Sequence, residues 1–275
     1  METRDPMSRM PPGRRTGSVS AYMPGLLFPV ARQVKRDEIQ VPLPLPFHGC
    51  DLWNAYELSW LNPDGRPEIA IAEFRVPCDS ECLVESKSLK LYLNSFCQSR
   101  FASKDEVEAT LARDLAGATG SEVGVSLSLP EQFSQLRLSG FGGICLDRLF
   151  VRVERYTVQP DFLKAGKEVV EETLHSHLLK SNCPVTGQPD WGSVMVHYVG
   201  RRMDREGLLK YVVSFREHQE FHEHCVERMF MDILRRCEPE RLTVYARYTR
   251  RGGLDINPFR SNFEDVPENI RMARQ

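Results

Sequence analysis

No stretch of the sequence stays apolar for the roughly 18–20 residues that a membrane-crossing helix needs. The longest apolar run, Pro24-Gly-Leu-Leu-Phe-Pro-Val-Ala31, is short and broken by proline. An excess of either charge is missing too: 36 Lys and Arg stand against 38 Asp and Glu, a formal net charge of −2. That balance argues against a dedicated nucleic-acid binder, which carries a clear basic excess. The N-terminus lacks the apolar core of a secretory signal, so the expectation is a soluble, cytoplasmic protein. No Gly-x-Gly-x-x-Gly follows a strand, since Gly140-Phe-Gly-Gly143 lacks the third spacing, and there is no Walker A motif. If a dinucleotide binds, it does so without a Rossmann fold. Cys78-Asp-Ser-Glu-Cys82 has a spacing that zinc could use, but no second close cysteine pair follows it, which argues against a structural zinc.

What is present is ordinary for a soluble globular chain: 275 residues, 41% hydrophobic and 27% charged. That length suits one large domain or two modest ones. The eight cysteines, at 50, 78, 82, 97, 145, 183, 225 and 237, read as buried thiols with room for a reactive one, rather than as a disulfide framework. Residues 1–22, rich in Arg, Met, Pro, Gly and Ser, have no apolar period and read as a mobile tail.

Beyond the tail the chain repeats itself faintly. A slide of 122 residues places Leu27-Phe28 on Leu149-Phe150, Leu52 on Leu174, and Gly65-Arg-Pro-Glu68 on Gly187-Gln-Pro-Asp190. After a three-residue gap, Leu89–Phe96 falls on Leu208–Phe215. The reading is two copies of one module, residues 23–145 and 146–275. In the second copy, Leu149–Thr157 reads as an opening strand and Glu168–Lys180 as helix-like. Ser193–Val199 and Lys210–Phe215 read as strands. A long helix follows, carrying Phe221, Cys225, Met229 and Ile233 at four-residue spacing, and then a closing strand, Leu242–Tyr248. The first copy matches with Val107, Leu111 and Leu115 on a helix and Val123–Leu127 as a strand. The fold class expected is α+β, antiparallel sheets with helices packed on one face.

The copies differ where chemistry could sit. Cys183 lies in a polar Asn-Cys-Pro-Val-Thr-Gly turn, and the first copy has Leu61 in its place. An accessible, partly ionised thiol is a nucleophile, and Asp190, seven residues on, could loop back as a proton donor. The alternative is a small buried residue followed by a turn aspartate. His222-Glu223 opens the long helix. A carboxylate there can accept two N–H groups from a guanine-like edge and the imidazole can shuttle protons, or the acid can simply favour a helix first turn. Glu85-Ser-Lys-Ser-Leu-Lys90 runs into what reads as a strand, with lysines placed either to meet phosphates or to guard an edge. Arg250-Arg-Gly-Gly253 offers a backbone able to approach an anion.

Taken together, these segments resemble the nitrile reductases of queuosine biosynthesis, the NADPH-dependent 7-cyano-7-deazaguanine reductases. The resemblance rests on Glu85–Phe96, Asn182–Asp190, Glu220–Glu227 and Arg250–Pro258, and is to the longer, two-module form. It implies tandem tunnelling-fold modules, a fold shared with GTP cyclohydrolase I. Cys183 would be the nucleophile that forms a thioimide, Asp190 the proton donor, and His222 a catalytic and substrate-binding residue. Glu223, with Val84, Glu85 and Ser86, would hold the deazapurine, while Ser86, Lys87, Arg251 and Gly252 would contact NADPH. The implied partners are a small-molecule deazapurine and a second copy in a homodimer, with no direct nucleic-acid or membrane contact and no metal. Two other readings stand beside it: a zinc-dependent cyclohydrolase-like enzyme on the same fold, and a non-catalytic purine-binding module.

Overall fold

Two long hairpins, each turning on a short polar loop, form the frame on which everything else is hung. The structure, a computed structural model, describes residues 21–275. The expected tail over residues 1–22 lies outside the described residues except for Ala21 and Tyr22. Tyr22 is anchored: its ring meets Phe96 edge-on at 5.3 Å and its hydroxyl donates to Asp114.

A short strand β1 (Pro29–Ala31) and helix α1 (Arg32–Glu38) lead into the first hairpin, β2 (His48–Leu61) and β3 (Pro67–Pro77). Its turn is built by Asn62, whose side-chain oxygen accepts from the amides of Asp64 and Arg66. Then come β4 (Cys82–Val84), which pairs with β1, helices α2 (Ser86–Asn94) and α3 (Lys104–Thr119), β5 (Gly124–Ser128) and the two-residue β6 (Ile144–Cys145). The second hairpin is β7 (Ala165–Asn182) with β8 (Pro189–Met203), followed by helices α4 (Arg205–Ser214) and α5 (His222–Cys237) and strands β9 (Arg241–Tyr248) and β10 (Leu254–Ser261).

Eight strands form one sheet in the order β5-β3-β2-β10-β9-β8-β7-β6, antiparallel except for the β6–β7 pair. The helices cover one face. Leu89, Tyr92, Phe96, Val107, Leu111 and Leu115 of the first helical pair pack on β2, β3 and β5 in one cluster. Leu208, Tyr211, Val226, Met229, Phe230 and Ile233 pack on β7, β8 and β9 in another. The class is therefore mixed α and β with an antiparallel-rich sheet, and the long helix, the Val107 helix and the closing strand stand where the sequence puts them.

Three expectations are corrected. Leu89–Asn94 and Lys210–Phe215 are helical, not strands. Glu85 and Asp204 cap these helices with their carboxylates, and the buried residues Leu89, Tyr92, Leu93 and Phe96 follow a three-and-four spacing. Glu168–Lys180 is strand, because pairing with β8 and burial of Leu174 and Leu179 override residues that favour helix. Leu149–Thr157 forms no regular strand.

Strand β10, which carries Pro258, joins the halves of the sheet. It pairs with β2 along its full length, from Leu254 opposite Ala55 to Ser261 opposite His48. On its other side it pairs with β9 only over Phe259–Ser261, clear of the proline that has no N–H to give. There the side chains of Asn257 and Gln275 take over: Asn257 Oδ1 accepts from Tyr248 N–H, and Gln275 Nε2 donates to Tyr248 O and Asn257 Oδ1. Beneath the seam, fully buried Arg260 on β10 bonds Glu227 of α5 at 2.9 Å and Asp51 of β2 at 2.8 Å. Arg36 of α1 reaches the same Glu227 at 2.8 Å. Burial works against ionising Glu227, but Arg260 and Arg36 outweigh it and hold its carboxyl at about 2.

Removing one member of such a network strands buried charge, which costs about 3–5 kcal/mol. Glu227→Ala should therefore lower the unfolding free energy by about that amount in chemical denaturation. A loss under about 1 kcal/mol, the scale of an exposed ion pair, would mean that the network does not hold the seam.

Candidate active site

Each of the two tight turns at one end of the sheet brings a functional group to the same place. In the turn between β7 and β8, Cys183 N–H donates to Gln188 O and Gly187 N–H returns to Cys183 O, both at 2.9 Å. This leaves the Cys183 thiol partly exposed. In the turn between β9 and β10, Gly252 and Gly253 both take positive φ (57° and 80°), and Arg251 and Leu254 exchange backbone bonds of 2.8 and 3.1 Å. That is a two-residue hairpin of the kind that needs glycine. A side chain at Gly253 would meet Glu57 at 2.4 Å.

The turns are tied together by Arg251. Its guanidinium donates to Asp190 Oδ1, to Gln188 Oε1 at 2.6 Å and to Thr186 Oγ1 at 3.4 Å. On the other side of Asp190, His222 Nε2 stands 3.3 Å from Oδ2. The His222 ring stacks on Tyr248 at 3.9 Å and 11°. Asp190 is thus gripped between Arg251 and His222. Burial pushes its carboxyl up, but His222 and Arg251 outweigh burial and hold it below the usual carboxylate range.

These groups line a cavity of about 490 Å³. Trp53, Val84, Phe221, Leu254 and Ile256 give it apolar walls. Glu223, on the first turn of α5, is almost fully buried, and its Oε1 has no hydrogen-bond partner. His222 Nδ1 likewise lacks one. Burial first, and the nearby charge of Asp51 second, raise the Glu223 carboxyl to about 7. An unpaired buried oxygen costs free energy unless something bonds it, and an N–H edge of a flat heterocycle is a suitable partner.

The first half of the chain supplies the rim. Ser86, Lys87 and Lys90 of α2 line the cavity with Val84 and Glu85. The Glu85 carboxylate is engaged as a helix cap, accepting from Lys87 N–H at 2.9 Å and Ser88 N–H at 2.7 Å. Lys90 Nζ donates to Gly252 O at 2.5 Å, clamping α2 to the β9–β10 turn. Every residue to which the resemblance assigns a role therefore lines one cavity, Gly252 included. The sequence did not nominate Gln188, Trp53 or Tyr248. Gln188 lies within the quoted Asn182–Asp190 block, whereas the stacking of Tyr248 under His222 leaves no local signal. Cys78 and Cys82 lie away from the cavity, Cys78 buried.

Comparison with known proteins gives one answer. Residues 19–127 match the family described as nitrile reductase, 7-cyano-7-deazaguanine-reductase N-term, and residues 189–266 match the one described as QueF-like protein. A protein of Azoarcus sp. (strain BH72) named NADPH-dependent 7-cyano-7-deazaguanine reductase is 58% identical over 96% of this chain and 95% of its own. A protein of the same name from Burkholderia pseudomallei (strain 1106a) is 56% identical over 96% of this chain and 98% of its own. That of Bordetella pertussis (strain Tohama I / ATCC BAA-589 / NCTC 13251) is 55% identical over 98% and 99%.

The raised Glu223 carboxyl has a consequence for stability. Its folded state holds the proton more tightly than the unfolded chain, whose value is the ordinary 4.5. Stability is therefore lost as pH rises from 4.5 towards about 7, and the penalty persists above that. Glu223→Gln should melt above the wild type at pH 8, and the gap should close as pH falls to 4.5. A gap that does not vary with pH would contradict the assignment.

Proposed function

The chain belongs to the NADPH-dependent 7-cyano-7-deazaguanine reductases, the nitrile reductases of queuosine biosynthesis, and on that premise we propose that Cys183 carries the chemistry as a covalent nucleophile. The observation that carries the reading is the Arg251 bridge, which joins Asp190 to Gln188 and Thr186 of the turn that carries Cys183, at the wall of the cavity. Asp190, held ionised, takes the thiol proton as sulfur adds to the nitrile carbon, and gives that proton to the nitrile nitrogen. One S–H bond and one C–N π bond are exchanged for a C–S and an N–H bond, leaving a thioimide on Cys183. The inert triple bond becomes a C=N that accepts hydride.

NADPH, when bound, supplies that hydride, and two are needed to carry nitrile through imine to amine. Fit for its phosphates is found on α2, where the exposed Lys87 ammonium and the Ser86 hydroxyl flank the cavity. The Lys87 and Ser88 amides are already taken by Glu85, so the side chains would hold the cofactor. Arg251 would add its charge while its donors stay on Asp190, Gln188 and Thr186, and Gly252 lets the backbone come close. Glu223 Oε1 and His222 Nδ1, both unbonded, would hold the deazapurine edge against Trp53 and Phe221. Once the first reduction releases Cys183, the apolar walls would shield the imine from water, and His222 would return protons to Asp190.

We read the fold as tandem tunnelling-fold modules. Apart from the short β4, the order β2-β3-α2-α3-β5 recurs as β7-β8-α4-α5-β9, and the two segments that the repeat aligns, Leu89–Phe96 and Leu208–Phe215, are helical over Leu89–Asn94 and Leu208–Phe215. Completion as a cytoplasmic homodimer fits the apolar side chains a single chain leaves in water, Phe28, Val34 and Phe150 among them. The near-balanced charge fits an enzyme that works on the free base rather than on tRNA.

Protein mixed with 7-cyano-7-deazaguanine and no NADPH should gain the mass of one substrate molecule by intact mass spectrometry. Cys183→Ala should abolish both the adduct and turnover. Asp190→Asn should slow adduct formation by roughly 10²–10⁴, the worth of a positioned acid–base group. An adduct that survives Cys183→Ala would overturn the nucleophile.

A further inference from the structure

At the outer edge of the sheet, β6 runs parallel to β7 for two residues and sets Cys145 beside His175. Neighbours in a ladder share a face, and His177, two residues further along β7, returns to it. The Cys145 sulfur and one ring nitrogen from each histidine lie within 4.8 Å of one another.

Both rings are oriented from behind. His175 Nδ1 lies 3.0 Å from Gly142 O. A carbonyl only accepts, so Nδ1 carries the proton and the lone pair is on Nε2. His177 Nδ1 lies 2.8 Å from Ser193 Oγ, which leaves its Nε2 unengaged as well. An imidazole whose far nitrogen is tied to an oxygen is the form in which metal-bound histidines are held.

The backbone is fixed too. A bulge in β7 between Ser176 and Leu179 sets the aim of His177. Asp147 accepts from the amide of His177 at 3.1 Å and from the Ser176 hydroxyl at 2.7 Å. Leu146 N–H bonds His175 O at 2.8 Å. Gly143 has φ of 83°, and a side chain there would sit 2.2 Å from Thr173 O. The segment that carries Cys145 is thus locked onto the strand that carries the histidines.

We propose that Cys145, His175 and His177 form a binding site for one zinc-class divalent cation, held by a thiolate and two imidazoles with the fourth position open to water. One thiolate and two neutral imidazoles suit a borderline-soft ion with tetrahedral preference and not magnesium or calcium. Binding releases the Cys145 proton to solvent. The ion clips β6 to the edge of the sheet and takes no part in nitrile reduction: none of its ligands lines the cavity, and Cys183 lies six residues beyond His177, roughly 20 Å along an extended strand.

The test uses tag-free, full-length protein, stripped with chelator under a non-thiol reductant and titrated with Co²⁺ and then Zn²⁺. One equivalent of Co²⁺ should produce a thiolate-to-cobalt charge-transfer band. The band should be absent in Cys145→Ser, an exposed position whose folding circular dichroism checks, and unchanged in Cys183→Ala. Ser193→Ala should weaken Co²⁺ binding by about 10–100-fold, the effect of losing an outer-shell partner. Zn²⁺ should displace Co²⁺ and raise the melting temperature of the wild type but not of Cys145→Ser. A wild type without the band, a band that persists in Cys145→Ser, or one lost in Cys183→Ala would overturn the proposal. None of these readouts depends on the reductase activity.

Discussion

The pairing of β10 with β2 is the constraint on which the molecule depends. Eight consecutive residues of the C-terminal part, Leu254–Ser261, lie along His48–Ala55 of the N-terminal part. Without that seam the chain would offer two separate sheets with open edges, which natural proteins avoid. With it, the β9–β10 turn is fixed over the rim formed by α2, and Lys90 can bond Gly252 O. The buried Arg260–Glu227–Arg36 and Arg260–Asp51 contacts select this one register, because any slip would leave charge in the core unpaired. The cavity exists as a consequence: Cys183, Asp190, His222 and Glu223 come from one side of the seam and Val84–Lys87 from the other.

The electrostatics of the cavity separate two carboxyls by their surroundings. Asp190 is held low by His222 and Arg251, whereas Glu223 has an unpaired oxygen and is held near 7 by burial and by Asp51. The first is ionised, the form that can receive the sulfur proton in the proposed reaction. The second suits a group that waits for a ligand N–H. Opposite displacement of two acids in one site is how a protein divides roles between like side chains.

The sequence is most legible where a signal is local. The four-residue stripe of α5 runs straight into the core through Cys225, Met229 and Ile233, and the polar turn around Cys183 gives that cysteine its exposure. Helices α2 and α4 are hidden because Leu-Tyr-Leu and Tyr-Val-Val look like strand and the capping roles of Glu85 and Asp204 depend on the fold. Strand β7 is hidden in the opposite way: Glu, Lys and Leu favour helix until β8 pairs with them. Strand β10 is the least legible, since Pro258 argues against a central strand and its full-length partner β2 lies about two hundred positions away. For the same reason the nominated site residues can be named from the sequence, but the Arg251–Asp190 contact that organises them cannot. Nor can the stack of His222 on Tyr248, which depends on β9 passing under α5.

The central claim is that Cys183 bonds to the nitrile carbon with the proton relayed to nitrogen. ¹³C NMR of the protein mixed, without NADPH, with 7-cyano-7-deazaguanine labelled at the nitrile carbon tests that bond itself. The account predicts that the nitrile signal gives way to a C=N carbon bonded to sulfur in the wild type and stays unchanged in Cys183→Ala. A nitrile carbon that remains a nitrile in the fully bound wild type would contradict it.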